Sequence, residues 1–351
     1  GSLQVRSDCF SCSYVQVLSD IMAIRGKENE NGVYEFPYMV KPTQRTNWEA
    51  FKSFLWNPSA GTVLGRTGAS WAKILLFYLI FYIGLAALFA ICMAGLFATL
   101  NKDKPKYTNL NSLIGSNPGL GFRPIADRTS EGALIWYNSR KIETALQWTK
   151  LLDDFLIDYN MNHTGPDSKF SPDCNFDQPP VNGLACPVNT ADFGPCSPPH
   201  YGYNTVSPCI FLKLNKIFDW EPEYVNTTDK LPKKIPQSVI DRIRTAQARN
   251  ESNRVWVSCE GEYDADKEHL NNTSFEYYPP GGGFPSYYYP YQHKKDEYLS
   301  PLVAVQIINP KGGVIINIEC RAWAHNIEYA GGTPEQRKGS VHFEIMRDDI
   351  A

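Results

Sequence analysis

The sequence predicts a mainly β protein with a single membrane-spanning helix and, after it, a β-sandwich domain carrying one prominent helix. Three observations lead there. The run 74–100 contains no charged residue. Five N-x-S/T acceptors and six of the nine cysteines lie after that run. The C-terminal half contains several segments in which apolar residues alternate.

The run ILLFYLIFYIGLAALFAICMAGLFATL would form a helix roughly 40 Å long, against a hydrocarbon core of about 30 Å. It can therefore span with tilt. A buried core helix is usually shorter and carries a polar stripe. The run is too long, and lies too far along the chain, for a cleaved signal peptide, so an uncleaved signal anchor is expected.

Flanking charge does not set the orientation: Arg66 and Lys73 stand on one side, Lys102, Lys104 and Lys106 on the other. Two other signals are one-sided. The acceptors at Asn162, Asn226, Asn250, Asn271 and Asn272 all follow the span, whereas Asn57-Pro58-Ser59 before it is excluded by its proline. Cys174, Cys186, Cys196, Cys209, Cys259 and Cys320 also follow it, and an even set of that kind suits an oxidising compartment. The expected topology is a type II protein of the plasma membrane. Its parts would be an inner tail over 1–73, the span over 74–100, a stalk over 101–129 and an outer domain over 130–351. Cys92 within the span reads as a small packing residue. Cys9 and Cys12 form a CxxC without further Cys or His ligands in the tail, so they read as free thiols rather than a zinc site.

Residues 1–45 are polar and aperiodic, and disorder is expected there. Trp48, Phe51, Phe54, Leu55 and Trp56 give an amphipathic helix at the membrane face. The Pro/Gly-punctuated stalk follows. A helix is expected over 139–159, where Ile142, Leu146, Leu152 and Leu156 recur at helical spacing, with Ser139 as its cap. The rest reads as strands. Residues 255–259 alternate, 302–308 and 314–323 read as a hairpin across NPKGG, and Val341, Phe343 and Ile345 share a face near the C-terminal end. Cys259 and Cys320 each fall on the apolar face of a strand. The simplest arrangement is a disulfide through the core of an immunoglobulin-like sandwich, worth on the order of 3–5 kcal/mol in the chain-entropy picture.

Composition and motifs narrow the function. The net charge of −3 offers no basic face, so nucleic acid is not expected as a partner. No HExxH, GxSxG or GxxxxGK[ST] occurs, and the six histidines are scattered. Neither a catalytic residue, a metal site nor a cofactor is expected. A single span without an intramembrane charge cannot form an ion path alone, so any transport role needs another chain. Within the span, Tyr78, Phe81 and Tyr82 form an aromatic ridge. Ala86, Ala90, Ala94 and Ala98 continue at four-residue spacing, which allows close backbone approach. Tyr78 also suits an interfacial aromatic belt, but Tyr82 lies deeper, where a phenol in hydrocarbon needs a partner.

The junction before the span combines Phe51, Phe54, Trp56 and Asn57 with Leu64, Gly65, Arg66, Thr67 and Trp71. This pattern resembles the signature of Na⁺/K⁺-ATPase and H⁺/K⁺-ATPase β subunits. The likeness continues through KILLFYLIFY, SPCIFLKLNKIFDW, YYPYQHKKDEYLSPLVAVQ, IECRAWAHNI and GSVHFEI. It implies a glycoprotein with an immunoglobulin-like outer domain and a catalytic α subunit as partner, with the ridge at Tyr78, Phe81 and Tyr82 facing an α helix. It also implies a role in folding and delivery of α, an influence on K⁺ occlusion, membrane lipid as a neighbour and a small single-span regulatory subunit as a further companion. The implied disulfides are Cys174–Cys186, Cys196–Cys209 and Cys259–Cys320. A sodium-pump chain is favoured over the proton-pump type. Cell adhesion is the alternative from another class, and detergent co-purification of a larger ATP-hydrolysing chain discriminates between them.

Overall fold

A computed structural model describes residues 27–28, 34–35, 46–101, 104–126, 132–161, 168–181, 184–270, 275–292, 298–333 and 336–348. The expectation of disorder over 1–45 falls almost wholly outside these residues, as do Cys9 and Cys12. The described pieces there are two short antiparallel strands, β1 (Lys27–Glu28) and β2 (Tyr34–Glu35). The chain divides into two compact units, Gly1–Thr99 and Leu100–Ala351.

In the first unit, α1 (Asn47–Leu55) starts with a capping box. Thr46 Oγ1 accepts from the Glu49 amide, and the Glu49 carboxylate accepts from the Thr46 amide, so two otherwise orphaned donors are satisfied. The helix stops at Leu55. Trp56, expected inside it, instead opens strand β3 (Trp56–Asn57), which pairs with β4 (Thr62–Val63), and that strand with β5 (Arg66–Thr67). Thr67 is then the N-cap of α2 (Gly68–Ala98), whose 31 residues bury none of their side chains. This helix is long and apolar enough to cross a membrane. It begins six residues before the charge-free run, because Thr67, the last residue of β5, is directly its N-cap and the small residues Gly68, Ala69 and Ser70 tolerate the first turn.

The second unit is a two-sheet sandwich. The four-stranded sheet has the order β10 (Phe275–Tyr278), β12 (Leu302–Ile307), β8 (Cys209–Leu214), β6 (Leu120–Arg123), all antiparallel. Its edge strand β6 comes from the segment read as stalk. The five-stranded sheet has the order β11 (Gly283–Pro285), β9 (Arg254–Gly261), β13 (Ile315–Trp323), β14 (Ser340–Arg347), β7 (Leu134–Tyr137), with only β7 parallel to its neighbour. Phe122 of one sheet stacks on Phe343 of the other, with ring centroids 5.1 Å apart. Trp148, Leu152 and Leu156 of α3 (Ile142–Asn160) join the same core.

Three expectations are corrected here. First, 302–307 and 315–323 are both strands but not a hairpin: β12 and β13 lie in different sheets, so the NPKGG connection crosses the sandwich. Second, α3 starts at Ile142, and Ser139 is not its cap. Asn138 organises the entry instead, its Oδ1 accepting from the amides of Arg140 and Lys141 at 2.9 and 3.2 Å. Third, the Cys259–Cys320 disulfide does not join the two sheets. The residues face each other on neighbouring strands β9 and β13, Cα to Cα 4.0 Å. The Cys259 amide donates away from β13, to the Tyr277 hydroxyl at 2.8 Å, which makes this a non-hydrogen-bonded pair, the type in which opposed side chains approach most closely.

The sequence reading also missed a helix. α4 (Gln237–Gln247) places Val239, Ile243 and Ala246 against Trp256 and Trp323 on the outer face of the five-stranded sheet, forming a second, smaller core. This explains why β9 is buried on both faces. Both indoles are satisfied: Trp256 Nε1 donates to the Val225 carbonyl and Trp323 Nε1 to Ser258 Oγ, each at 2.8 Å.

Candidate functional site

The residues singled out before and inside the span converge on one continuous element. Leu64 and Gly65 both have positive φ, 50° and 75°. That is the backbone of a tight two-residue hairpin turn, which connects β4 to β5, and Gly65 adopts it without strain. The turn docks on the end of α1: the Leu64 amide donates to the Leu55 carbonyl and the Gly65 amide to the Phe54 carbonyl, both at 3.1 Å. These bonds take up carbonyls that a helix end otherwise leaves unpaired. A Cβ on Gly65 would sit 3.4 Å from the Phe54 ring. Asn57 Oδ1 accepts from Ser59 Oγ at 2.7 Å and from the Ala60 amide at 3.3 Å, shaping the β3–β4 turn.

Trp71, one turn into α2, reaches back with Nε1 to the Val63 carbonyl at 2.8 Å. The helix is thereby tied to the small sheet that precedes it. The spaced motif Phe51, Phe54, Trp56, Asn57, Leu64, Gly65, Arg66, Thr67 and Trp71 is thus one folded knot of helix, three-stranded sheet and helix start. Its apolar side chains are only partly used within it: Trp48, Phe51, Phe54 and Trp56 remain at least half exposed. Trp48 and Phe51 stack at 5.8 Å and Lys52 lies over the Trp48 ring, an aromatic and cationic surface suited to a headgroup layer.

Further along α2, four rings cluster. Tyr78 stacks on Tyr82 at 6.1 Å and Phe77 on Phe81 at 6.3 Å. The two pairs meet edge to face, with Phe77 to Tyr78 and Phe81 to Tyr82 each 5.5 Å. Sequence reading named Tyr78, Phe81 and Tyr82 and omitted Phe77, although its spacing of four from Phe81 repeats that of the tyrosines. Among the described residues, no side chain covers the cluster. Cys92, expected to pack, is an exposed free thiol on the same helix.

In the second unit, disulfides join Cys174 to Cys186, Cys196 to Cys209 and Cys259 to Cys320. Of the glycosylation acceptors, Asn226 and Asn250 are exposed, while Asn162, Asn271 and Asn272 lie outside the described residues. The tyrosine-rich stretch after β11 is a packing element. Tyr288 donates to the Pro187 carbonyl at 2.8 Å, Tyr298 to the Tyr288 carbonyl at 3.1 Å, and Lys216 Nζ lies over the Tyr291 and Tyr298 rings. Burial pushes the phenols of Tyr288 and Tyr289 well above their ordinary value, so they serve only as neutral groups. Among the described residues, no group of three or more His, Cys, Asp or Glu side chains is arranged to hold a metal ion.

The family described as sodium/potassium ATPase beta chain matches residues 41–343, from just before the knot to β14. The chain belongs to this β-chain family. Among its curated relatives, sodium/potassium-transporting ATPase subunit beta-1 of Drosophila melanogaster is 46% identical over 329 residues, covering 93% of this chain and 100% of the relative. Subunit beta-2 of the same organism is 43% identical, covering 89% and 96%. Subunit beta-2 of Oryctolagus cuniculus is 33% identical, covering 85% and 93%. The β-chain likeness therefore includes the knot, the long apolar helix and the disulfide-linked sandwich together.

Proposed function

We propose that this chain is the non-catalytic β subunit of a Na⁺/K⁺-exchanging P-type ATPase. On this reading it assembles with a catalytic α subunit, helps that subunit fold and reach the plasma membrane, and tunes K⁺ occlusion and affinity. The observation that carries the proposal is that likeness to relatives named as sodium-pump β subunits runs over nearly the full length of both chains. The aromatic cluster Phe77, Tyr78, Phe81 and Tyr82 then faces an α helix, where a tyrosine hydroxyl finds the polar partner that lipid cannot give. The Cys92 thiol and the alanine stripe lie on the same bare helix, open to protein or lipid. A small single-span subunit would be a further occupant of its surface.

The topology proposed with it is type II, with 1–73 inside and the sandwich as an ectodomain. Three disulfides, which persist in oxidising compartments, and the exposed acceptors Asn226 and Asn250 support that side for the sandwich. The test is purification in a mild detergent from cells that also make the partner. A larger chain that hydrolyses ATP in a Na⁺- and K⁺-dependent way is expected to accompany this one. Recovery of this chain alone, at the surface and glycosylated, would favour an adhesion protein. Glycosidase should shift its gel mobility, and a tag on the N-terminal tail should stay hidden on unpermeabilised cells.

A further inference from the structure

Between the end of α2 and strand β6 lies a short segment whose side chains run against the usual pattern of a folded domain. Leu110 is 86% exposed, Leu113 is fully exposed and Ile114 is 68% exposed. Isolated exposed leucines are ordinary on protein surfaces. Here three sit within five residues, on backbone that is held in place. The 3-10 turn Asn109–Asn111 and the turn after it are closed by bonds from the Asn111 amide to Thr108, Ser112 to Asn109 and Gly115 to Ser112, each 3.0–3.1 Å.

The segment is also pinned at both ends to the body of the C-terminal unit. Asn109 Nδ2 donates to the Asp219 carbonyl at 3.4 Å. At the other end, Asn117 makes a reciprocal amide pair with Glu328: its Nδ2 donates to the Glu328 carbonyl at 3.1 Å and its Oδ1 accepts from the Glu328 amide at 2.9 Å. Pinning at 109 and 117 leaves the intervening leucines no slack to fold back onto the core.

Two features say what covers them. Leu110 is eleven residues beyond Thr99 at the end of the span, so the connecting chain reaches at most about 40 Å. Immediately before the apolar tip come Lys104, Lys106 and Tyr107, all exposed, with Lys106 Nζ over the Tyr107 ring at 5.7 Å. Basic and tyrosine side chains beside an apolar tip are the composition of a segment lying at the boundary between headgroups and acyl chains. No N-x-S/T acceptor occurs between 101 and 126, so no N-linked glycan stands over the tip.

We propose that the loop 109–117 is a membrane-contacting loop, which seats Leu110, Leu113 and Ile114 in the lipid leaflet on the ectodomain side with Lys104, Lys106 and Tyr107 at the headgroups. It gives the ectodomain a second attachment to the bilayer besides the span. The proposal needs the span and not the pump partner.

The test uses the full chain with Cys9, Cys12 and Cys92 replaced by Ser, reconstituted into phosphatidylcholine vesicles. Leu113→Cys carries an environment-sensitive fluorophore, and Val181→Cys, at another exposed residue of the same unit, carries it as control. A nitroxide lipid labelled near the headgroup is expected to quench the label at 113 at least twofold more than the label at 181, with a blue-shifted emission. Replacing Leu110 and Ile114 by Ser should abolish that difference while the three disulfides stay formed. Flotation of the same vesicles reports the span separately. Equal quenching at 113 and 181 in floating vesicles would overturn the proposal. So would shielding of 113 that appears only when the larger pump chain is co-reconstituted, since the loop would then be a protein contact.

Discussion

Trp256, Phe343 and Ile345 of the C-terminal unit are buried completely, whereas Phe77, Tyr78 and Phe81 of the N-terminal unit are about half exposed or more. Both units are rich in large apolar side chains, and each follows its own solvent. The sandwich must remove its aromatics from water, so it surrounds them with two sheets and two helices. The span has no water to escape, and its aromatics are left for lipid or a second protein to cover. Burial within this chain therefore separates the residues that make its fold from those left to whatever surrounds the helix.

Substitutions can break that separation. The largest effect is expected for Trp256→Ala, which empties the smaller core under α4 and leaves the Val225 carbonyl without its donor. About 3–5 kcal/mol of ectodomain stability should be lost, a large fraction of a domain's total of about 5–15. The expected readout is retention in the endoplasmic reticulum with the span still inserted. Cys259→Ser should cost about 2–5 kcal/mol. Because the bridge lies within one sheet, the loss should show first as faster amide exchange in β9 and β13 rather than as separation of the sheets. Equal exchange in wild type and variant would refute that.

A smaller and pH-dependent effect is expected at Glu262. Burial tends to raise its carboxyl, but hydrogen bonds from Arg337 and His342 outweigh it and hold it below the ordinary value of 4.5. A depressed carboxylate stabilises the fold fully above its unfolded value and loses that contribution as pH falls through the folded one. Glu262→Gln should thus lower the melting temperature at neutral pH and make it less sensitive to acidification below about pH 4.5. A variant whose acid limb runs parallel to the wild type would argue that the ion cluster is inert. The smallest effect on stability is expected for the double change Tyr78→Leu and Tyr82→Leu. Insertion, disulfides and melting of the ectodomain should match the wild type, while co-purification with the pump chain weakens and the K⁺ concentration for half-maximal current shifts. Unchanged association and K⁺ response would reassign both tyrosines to lipid.

The span was legible as a long charge-free run, and the strands near Val257, Ile318 and Phe343 and the helix around Leu152 because each depends on local periodicity. Pairing was not. Nothing near Asn309 and Gly313 tells a sequence reader that β12 turns into a different sheet, because a sheet crossing and a hairpin use the same turn residues. The same gap hid the position of the Cys259–Cys320 bridge, since alternation reports which face a cysteine occupies but not which strand lies beside it. The helix α4 could have been found: Val239, Ile243 and Ala246 follow helical spacing right after Pro236, but the flanking polar residues masked it. In the knot, the residue types were readable while the geometry was not. Leu64 with positive φ is unusual for a branched side chain, and the bonds from the turn to the end of α1 hold it there.

The bond from Trp71 to Val63 also has a rotational meaning. Successive residues of an α-helix are turned by about 100°, so Tyr78, seven positions on, and Tyr82, eleven positions on, each return to within about 20° of the Trp71 direction. An indole fastened to a sheet before the membrane therefore sets the azimuth at which the two tyrosines emerge inside it. One residue added between Trp71 and Tyr78 would swing both by about 100° and aim them at another neighbour. The turn at Leu64 and Gly65 acts in this way as an index mark on a shaft, fixing the direction in which the two tyrosines leave the helix.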